Sequence, residues 1–573
     1  MPNFYKDNDD IQFQFKNMNL DWIIELKEDN FADKGKYDYA VKNNADAKDS
    51  YDRILDIVGD ISGNYIEPRA KDVDEFGATL ANGEVEYAKG TAEALDMLTK
   101  ADLMGFTLPR KYGGLNCPVT IYTIATEIVS RADASLMYIL GLQDIAETIY
   151  KFGDEDVKSK YLPRFCSGEV TGSMALTEPD AGSDLQAVQL KAFQDEEGKW
   201  YLNGVKRFIT NGCGQISLVL ARSEEGTSDG RGLSMFLYER DSKMKIRRIE
   251  HKLGIHGSPT CEIQFNNAPA ILVGKRKMGL IRYVMSLMNG ARLAIAAQAL
   301  GIAEAAYYEA DKYAKERVQF KKTIKEMIPV SELLGVMRMK VEAARALLYE
   351  TAQIVDIKDG LEHTVEKYPE KANELRSEVK RYTNYAALFT PMAKAYNTEI
   401  ANEVAYDGIQ IHGGTGYMKE FNAERHYRDA RITNIYEGTT QLQVVAAIGG
   451  VISGTLFERI REYEEDFDFT GADDLHNKVK DMALILENAV THIKTKNDPA
   501  FQEYHARRVV EMACKVAIGY LMVRDAVKSC RKKDMATFFL DFAYPEVKMK
   551  SEIITKDTDA FLKNKTSILD GKN

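Results

Sequence analysis

The fold class that the sequence predicts is α+β with several domains: a helical N-terminal domain, a central antiparallel β-domain and a helical C-terminal region. Apolar residues recur with the helical period at both ends of the chain and alternate with a period of two between them. The length of 573 residues is also too great for one compact core. We therefore expect four parts, which are residues 1–168, 169–275, 276–450 and 451–573.

The first part is predicted to be mainly helical. Apolar residues spaced i, i+3, i+4 and i+7 occur in residues 54–61 and again in residues 121–128. Glycine and proline at residues 105–114 interrupt the pattern and should break the helices.

The second part is predicted to be a small antiparallel β-domain. Residues 260–265 alternate polar and apolar side chains, and residues 216–221 and 233–238 are short apolar runs bounded by turn residues. Gly198 and Gly204 mark turns within this stretch.

The third and fourth parts return to the helical period. Residues 281–288 follow helical spacing, and a long alanine-rich helix is predicted over residues 293–315. The charged stretch 357–381 should be an insertion or an exposed helix pair. The acidic residues 462–468 suggest a linker, and residues 479–486 again show helical spacing.

Composition excludes several classes of function. The net charge of −11 disfavours a general nucleic-acid binder. The six cysteines form no CxxC pair and the eight histidines form no HExxH motif, so we expect free buried thiols and no metal. The chain begins without a basic, apolar leader and has no run of 18 uncharged apolar residues, so we expect a cytoplasmic protein without a transmembrane segment.

One acid in the third part has unusual neighbours. Glu437 stands between Tyr436 and Gly438, after an apolar run and before several hydroxyl and amide residues. This setting favours a carboxyl group with a raised pKa, which suits a general base that removes a weakly acidic proton from carbon. A capping or salt-bridged glutamate is the alternative interpretation from these residues alone.

Two segments of the β-domain could contact a flat ring. Pro179 and Gly182 bend the loop of residues 174–184, so that its backbone N–H groups can face one side. Phe208 lies near Thr210 and could stack on a planar cofactor that the hydroxyl also binds. An ordinary β-turn and a hairpin end are the alternatives.

Other residues could contact phosphate groups. Arg292 and Arg317 lie far apart in one predicted helical region, where an arginine at a helix end can bind phosphate through two nitrogens. A surface ion pair is the commoner role. Gly413 and Gly414 would leave their amides uncovered, but the segment is not GxGxxG and lacks a βαβ context, so no Rossmann site is predicted.

Together and in this order, these motifs resemble the acyl-CoA dehydrogenase family over about residues 80–450. The longer chain resembles a branch that includes 3-methylmercaptopropionyl-CoA dehydrogenases and some long-chain enzymes. The matching segments are ALTEPDAGSD (residues 175–184), LNGVKRFITNG (202–212), RVQF (317–320), QIHGGTGY (410–417) and RDAR leading into YEGT (428–439).

The resemblance implies FAD, bound between the β-domain and a C-terminal four-helix bundle that an extra helical extension follows. Some of the FAD contacts would come from a neighbouring subunit. The residues that the resemblance assigns to FAD are Met174, Leu176, Thr177, Ser183, Phe208, Ile209, Thr210, Arg317, Gln319, Phe320, Gln410, Gly413, Gly414, Thr439 and Gln441. The acyl-CoA would lie near Ser183, Asn289, Arg292, Tyr436 and Gly438.

The resemblance also implies a reaction, the α,β-dehydrogenation of an acyl-CoA as in fatty-acid β-oxidation. Glu437 would remove the α-proton while the β-hydride moves to flavin N5, giving a trans-2-enoyl-CoA. Hydrogen bonds from the Glu437 backbone and a ribityl hydroxyl would stabilise the enolate. Electrons would pass to an electron-transfer flavoprotein. Some members place the base directly before the arginine that matches Arg292, but that position here is Ala291.

Other activities on the same fold are an acyl-CoA oxidase and a desulfinase. The retained Glu437 argues against a base-free reaction but does not exclude an oxidase. A DNA-binding flavoprotein of the alkylation-response type would need a basic C-terminal region, whereas positive and negative charges are about balanced here.

The C-terminal extension has two interpretations. Extra helices could cover the surface that a second dimer buries in tetrameric relatives, which predicts a homodimer. The rival is an amphipathic membrane contact. Its support is a basic cluster formed by Lys528, Arg531, Lys532 and Lys533.

Overall fold

The computed structural model describes residues 2–571. The chain folds into two compact units. The first is formed by the chain up to Val318 and by Ala401–Glu437, and the second by Gln319–Ile400 and by the chain from Gly438 onward.

The first unit begins with a helical region, as the sequence predicts. The pattern at residues 54–61 lies in a helix, but Leu55 and Val58 are buried there while Ile57 is exposed, so the inward face is rotated from the expected one. A hairpin of Thr79–Ala81 (β1) and Glu84–Glu86 (β2) is an addition to the prediction. The helices are Asp9–Asn17 (α1), Asp21–Lys27 (α2), Asn44–Ile61 (α3), Glu67–Phe76 (α4), Lys89–Lys100 (α5), Val119–Ala132 (α6), Ala134–Gly141 (α7), Ile145–Phe152 (α8) and Glu155–Cys166 (α9).

A seven-stranded sheet follows in the chain. The strands are Gly172–Ala175 (β3), Lys191–Gln194 (β4), Trp200–Thr210 (β5), Ile216–Arg222 (β6), Leu233–Glu239 (β7), Met244–Ile249 (β8) and Thr260–Val273 (β9). Their order in the sheet is β3-β6-β4-β5-β9-β7, and β7 also pairs with β6, which closes the sheet on itself. Strand β8 pairs with β9.

The expectation of a purely antiparallel domain is wrong for two strand pairs. β3 runs parallel to β6 from Gly172 to Ala175, and β4 is parallel to the end of β6 at Lys191. The reason is that the chain follows one edge of β6, leaves it as a loop and then returns to it further along. That loop contains the segment in which flavin contacts are predicted.

A long helix completes the core of the first unit. It is Met285–Glu316 (α10), preceded by a π-helical turn, Gly279–Val284, and it packs on α6 and on Ala423–Thr433 (α13). Gly301 allows the close crossing with α6, because an added Cβ would lie 2.5 Å from the Glu127 carbonyl oxygen.

The second unit is mainly helical and contains most of the C-terminal extension. The elements of this unit are Val318–Gln319 (β10, which begins at the boundary), Lys322–Thr323 (β11), Ile328–Lys367 (α11), Ala372–His412 (α12, which continues into the first unit), Thr440–Ser453 (α14), Thr455–Asp466 (α15), Asp473–Lys496 (α16), Pro499–Ala526 (α17), Cys530–Thr555 (α18) and Ala560–Asp570 (α19). Helix α17 packs against α11, α14, α16 and α18.

Three sequence predictions concern segments of this unit. The charged stretch 357–381 forms the end of α11 and the start of α12, which is the predicted helix pair. The predicted linker at 462–468 is wrong up to Asp466, because α15 extends that far and buries Tyr463. Cys530 is exposed, whereas the other five thiols are buried.

The basic cluster of the extension has internal partners. Arg531 Nη1 and Lys532 Nζ each donate to the buried Glu342 carboxylate over 2.8 Å. Lys533 Nζ donates to the Gly471 carbonyl oxygen over 2.7 Å. These bonds account for three of the four basic residues that supported the membrane interpretation.

No single helix within residues 2–571 has the length and apolar character that crossing a membrane requires. Helices α14 and α15 meet that requirement only when taken together, across a bend of 65°.

Candidate active site

The first unit contains a small cavity of about 30 Å³ that is partly open to solvent, with Glu437 in its wall. Most of its lining is apolar and comes from α7, the turn after α7, β3 and α10. The other lining residues are Met137, Tyr138, Gly141, Leu142, Asp144, Ile145, Met174, Leu287, Ala291, Ala294 and Ile295. An apolar cavity with a few polar groups is the usual form of a small-molecule site.

The backbone at Glu437 has an uncommon conformation. Its φ is 53°, in the left-handed region, and Gly438 follows with a φ of 88°. A residue with a Cβ pays of order 1–2 kcal/mol for such a conformation, and such residues concentrate at functional sites. The turn after α13 therefore presents the Glu437 carboxylate to the cavity at a local energetic cost.

Tyr138 contacts the Glu437 carboxylate directly. Its hydroxyl donates to Glu437 Oε1 over 2.7 Å, and its ring centroid lies 4.9 Å from that of Tyr436. Burial raises the Tyr138 pKa well above its ordinary value, and the charge of Glu437 raises it further. Tyr138 is therefore a protonated donor at neutral pH.

The rings beside Glu437 are anchored to α10. The Tyr436 hydroxyl donates to Gln298 Oε1, and Gln298 Nε2 donates to the Ala134 carbonyl oxygen over 2.8 Å. Tyr138 was missed in the sequence, where the only signal is a tyrosine within the otherwise apolar run of α7.

The alternative base position lies in the same cavity. Ala291 lines the wall, and Arg292 follows it on α10. Burial lowers the Arg292 pKa while the Glu437 charge opposes that effect, so the two charges interact. Arg292 Nη1 donates to Asn289 Oδ1 over 3.2 Å, and its Nε is buried without a hydrogen-bond partner. Asn289 itself is exposed.

The two segments with predicted flavin contacts are bonded to each other. Lys206 Nζ donates to the Leu176 carbonyl oxygen over 2.7 Å and to Glu178 Oε1 over 2.8 Å. The Arg207 N–H donates to the Thr177 carbonyl oxygen over 2.9 Å. Burial lowers the Lys206 pKa to about 8, although the Glu178 carboxylate favours the charged form. The loop of residues 174–184 is thus held against β5.

The end of β5 is irregular and carries an exposed aromatic side chain. A β-bulge between Lys206 and Ile209 shifts the register with β9, and Phe208 has a φ of 60° with 52% of its surface exposed. Bulges commonly redirect side chains near active sites. Thr210 lies close enough to the Tyr138 hydroxyl to lower the Tyr138 pKa, against the larger effects of burial and of the Glu437 charge.

These features fit an isoalloxazine ring. The Phe208 side chain is exposed at the bulge. The Thr210 hydroxyl lies beside Tyr138, and the Tyr138 hydroxyl contacts Glu437. Of the other predicted contacts, Met174 lines the cavity, Leu176 and Ile209 are buried, and Ser183 is exposed on the loop.

The predicted phosphate contacts of the first unit come together at its surface. Arg317 ends α10, and Tyr313, one turn earlier, stacks on His412 with 4.5 Å between ring centroids. The Thr415 hydroxyl donates to Tyr313 Oη over 3.1 Å. Arg317 therefore shares a surface with an exposed segment that contains Gln410, Gly413 and Gly414.

The remaining predicted contacts lie in the second unit. Phe320 is 88% exposed and Gln319 is exposed beside it. Thr439 caps α14 by accepting a hydrogen bond from the Leu442 N–H, and Gln441 is exposed. The Gly438 carbonyl oxygen accepts hydrogen bonds from Lys394 Nζ and Gln443 Nε2 over 2.7 and 2.9 Å.

No group of three or more histidine, cysteine or acidic side chains in the described part of the chain is placed to hold a metal ion.

Four family models match the chain in succession. They are the N-terminal, middle and C-terminal domains of acyl-CoA dehydrogenase, over residues 49–169, 173–268 and 281–448, and a further acyl-CoA dehydrogenase C-terminal model over residues 452–559.

The chain is similar to several characterised enzymes. It is 34% identical over 421 residues to 3-methylmercaptopropionyl-CoA dehydrogenase of Ruegeria pomeroyi, a match covering 69% of each chain. It is 37% identical over 370 residues to an acyl-CoA dehydrogenase of Bacillus subtilis, covering 63% of this chain and 90% of the other. Acryloyl-CoA reductase (NADH) of Anaerotignum propionicum is 35% identical over 62% of this chain and 85% of its own.

Solved structures agree with these matches. Butyryl-CoA dehydrogenase of Megasphaera elsdenii superposes with a TM-score of 0.61 at 31% identity, covering 70% of this chain and 98% of the other. An acyl-CoA dehydrogenase of Bacillus anthracis, solved with FAD, has a TM-score of 0.76 at 23% identity over 89% of each chain and shows the same fold. The resemblance found in the sequence is thus confirmed, together with the fold class. The chain belongs to the acyl-CoA dehydrogenase family of FAD-dependent oxidoreductases.

Proposed function

We propose that this enzyme dehydrogenates an acyl-CoA thioester between its α and β carbons, giving a trans-2-enoyl-CoA, with Glu437 as the general base. The observation that carries the proposal is the place of Glu437 in the wall of an apolar cavity, within hydrogen-bonding distance of Tyr138. A weak carbon acid needs a base held close to the α-proton, because orientation supplies much of the rate.

Each group of the chain has a defined task in this proposal. The Glu437 carboxylate takes the α-proton, and Tyr138 keeps that carboxylate oriented through its hydrogen bond. The backbone N–H of Glu437 donates to the thioester carbonyl oxygen as negative charge develops there. The apolar wall around Met137 and Leu287 excludes water, which strengthens these interactions.

FAD is proposed to lie against the loop of residues 174–184 and the end of β5. Thr177, Ser183 and Thr210 offer hydrogen-bonding groups to the ring, and Phe208 offers an aromatic face. When bound, the flavin supplies the redox chemistry by accepting the β-hydride at N5. The surface near Arg317 and Gly413 would hold phosphate groups, in a homodimer those of the neighbouring subunit's FAD.

The electron acceptor is proposed to be an electron-transfer flavoprotein. A matching solved structure, from work on the electron-transferring flavoprotein of Acidaminococcus fermentans and flavin-based electron bifurcation, superposes with a TM-score of 0.60 at 32% identity. The four-part domain division and the cytoplasmic location remain predictions.

The test compares wild type with Glu437→Gln on a panel of acyl-CoA thioesters with an artificial electron acceptor. We expect both proteins to be yellow with equal FAD content, and kcat to fall about 10³- to 10⁴-fold in the variant, because an amide cannot accept the proton. Glu420→Gln, the same change at an exposed position, is the matched control and should keep full activity.

Two results would contradict the proposal. A Glu437→Gln variant that retains most of the activity would remove Glu437 from the reaction. Oxygen consumption by the wild type without an added acceptor, at the rate of turnover, would show an oxidase instead.

A further inference from the structure

The wall of the Glu437 cavity contains a second acid, Asp144. It lies at the end of the turn Leu142–Asp144 that follows α7, and it lines the cavity with Leu142, Ile145 and Leu287. A carboxyl group among apolar side chains is unfavourable unless it gains hydrogen bonds. The family motifs leave this residue unassigned, so its presence in the cavity needs a separate explanation.

The Asp144 side chain does not cap the helix that follows it. Asp144 is the N-cap residue of α8, and aspartate is a favoured residue there, yet its side chain makes no capping hydrogen bond. Nearby on α6, the Tyr122 hydroxyl is buried and lacks a hydrogen-bond partner of normal geometry, although it interacts with Asp144. Two polar groups therefore stand together with hydrogen-bonding capacity left over.

The charge state of Asp144 follows from its surroundings. Burial raises the Asp144 pKa to about 8 and the charge of Glu147 adds to this, while the Tyr122 hydroxyl and the charge of Lys151 oppose it. Asp144 is thus mainly neutral at pH 7. A neutral carboxyl group beside a phenol can both donate and accept hydrogen bonds.

The position of Asp144 places it opposite the far part of a bound acyl chain. Asp144 lies six positions after Tyr138, whose hydroxyl contacts the base, and a helical backbone rises roughly 9 Å over six positions. An extended chain of about six to eight carbons covers such a distance. Asp144 would therefore meet the acyl chain well beyond the reacting carbons.

We infer that this cavity selects acyl-CoA substrates whose acyl chain carries a neutral hydroxyl group at its far end, bound by Asp144. A neutral carboxyl group can donate a hydrogen bond to a hydroxyl and accept one from it, while Tyr122 supports Asp144 from behind the cavity wall. The inference rests on the proposed function, because it takes the Glu437 cavity as the acyl site. Sites that bind a substrate hydroxyl discriminate strongly against the analogue that lacks it, because their polar groups are then left unpaired.

The experiment measures kcat/KM for ω-hydroxyacyl-CoA and unsubstituted acyl-CoA of equal length, over about four to ten carbons. In the wild type we expect the ratio of the two values to exceed about 10 at its best length. In Asp144→Leu the ratio should fall at least about 10-fold. Asp144→Asn keeps the shape and some hydrogen bonding, so it should lie between them.

A binding measurement and a matched control accompany the kinetics. Calorimetric titration with non-reactive thioether analogues of the two chains should show the same ratio in Kd. Asp156→Leu, an equivalent change at an exposed position on α9, should leave both ratios unchanged. An ω-amino chain is included to separate a neutral from a charged ligand.

The outcomes separate the two proposals. If the wild type turns over acyl-CoA thioesters but prefers the unsubstituted chain at every length, or if Asp144→Leu leaves the ratio unchanged, the inference fails and the proposed function stands. A stronger preference for the ω-amino chain would also overturn it, since Asp144 would then act as an anion. If no acyl-CoA is turned over, the proposed function itself fails.

Discussion

Two carboxyl groups, one in each unit, show how differently this protein treats a buried acid. In the second unit Glu350 is 5% exposed and accepts hydrogen bonds from Arg459 Nη2 over 2.6 Å and Tyr463 Oη over 2.8 Å. Burial alone would raise its pKa, but the charges of Arg459 and Arg524 outweigh burial and lower it. In the first unit the charge of Lys151 offsets only a small part of the effect of burial at Asp144, and the Asp144 pKa rises to about 8.

The partners of these carboxyl groups indicate where ligand chemistry can occur. Glu350 has charged and neutral donors on its oxygens, so its carboxylate is committed to holding α11 to α15. Glu437 accepts a hydrogen bond from a neutral phenol and interacts with the charge of Arg292, on strained backbone in a cavity wall. Its carboxylate therefore lines a cavity that a ligand can enter, and ionisable groups in such surroundings are common at functional sites.

Among the variants that test this difference, Glu350→Gln should cause the largest loss of stability. Removing the Glu350 charge breaks a buried ion pair and leaves Arg459 with Glu462 as its remaining anionic partner, and breaking a buried pair costs about 3–5 kcal/mol. The melting temperature of the second unit should fall by roughly 10 °C, as followed by scanning calorimetry. Glu437→Gln is the control, because it is the same substitution and we expect it to lower the melting temperature only slightly. Equal losses in the two variants would show that the two glutamates do not differ in this way.

The next effect is expected for Tyr138→Phe, which removes the hydroxyl that donates to Glu437 and keeps the aromatic ring. We expect kcat to fall about 10-fold, because the base loses its orienting bond. The acidic limb of the pH profile of kcat/KM should move to higher pH, because a hydrogen bond to the charged form favours ionisation. Tyr150→Phe, on α8, is a control outside the cavity lining. An unmoved pH profile would contradict the contact.

A further effect should appear in the pH dependence of stability. For Asp144 the folded pKa of about 8 exceeds the unfolded one, so the folded state binds more protons between about pH 4 and pH 8 and stability falls as pH rises there. Asp144→Asn should therefore gain stability over wild type across that window, by chemical unfolding at several pH values.

Glu350 supplies the opposite sign in the same experiment. Its folded pKa is lowered, so its contribution is present above its unfolded pKa and is lost as pH falls through the folded value. The stability lost in Glu350→Gln should thus shrink in acid. Parallel pH profiles for the two variants would mean that the two carboxyl groups have similar surroundings.

Much of the fold followed from local patterns. The strands at residues 216–221, 233–238 and 260–265 were predicted because alternation and bounding turns identify strands, and the structure confirms them. The parallel pairing of β3 and β4 with β6 was not predicted, because pairing direction depends on the path of the loop between them. The linker at 462–468 was wrong because charge suggested exposure, whereas Tyr463 buries one face of a helix.

Motifs and periodicity, which are local properties of the chain, were enough to identify the family, the order of the domains and the candidate base. They could not show what surrounds that base, since Tyr138 and Glu437 lie 299 residues apart. The folded chain alone shows that Tyr138, Asp144 and Glu437 share one cavity, that a bulge exposes Phe208, and that Glu350 is held by cations. A helix or strand pattern specifies which face is buried, whereas packing selects the partner on that face.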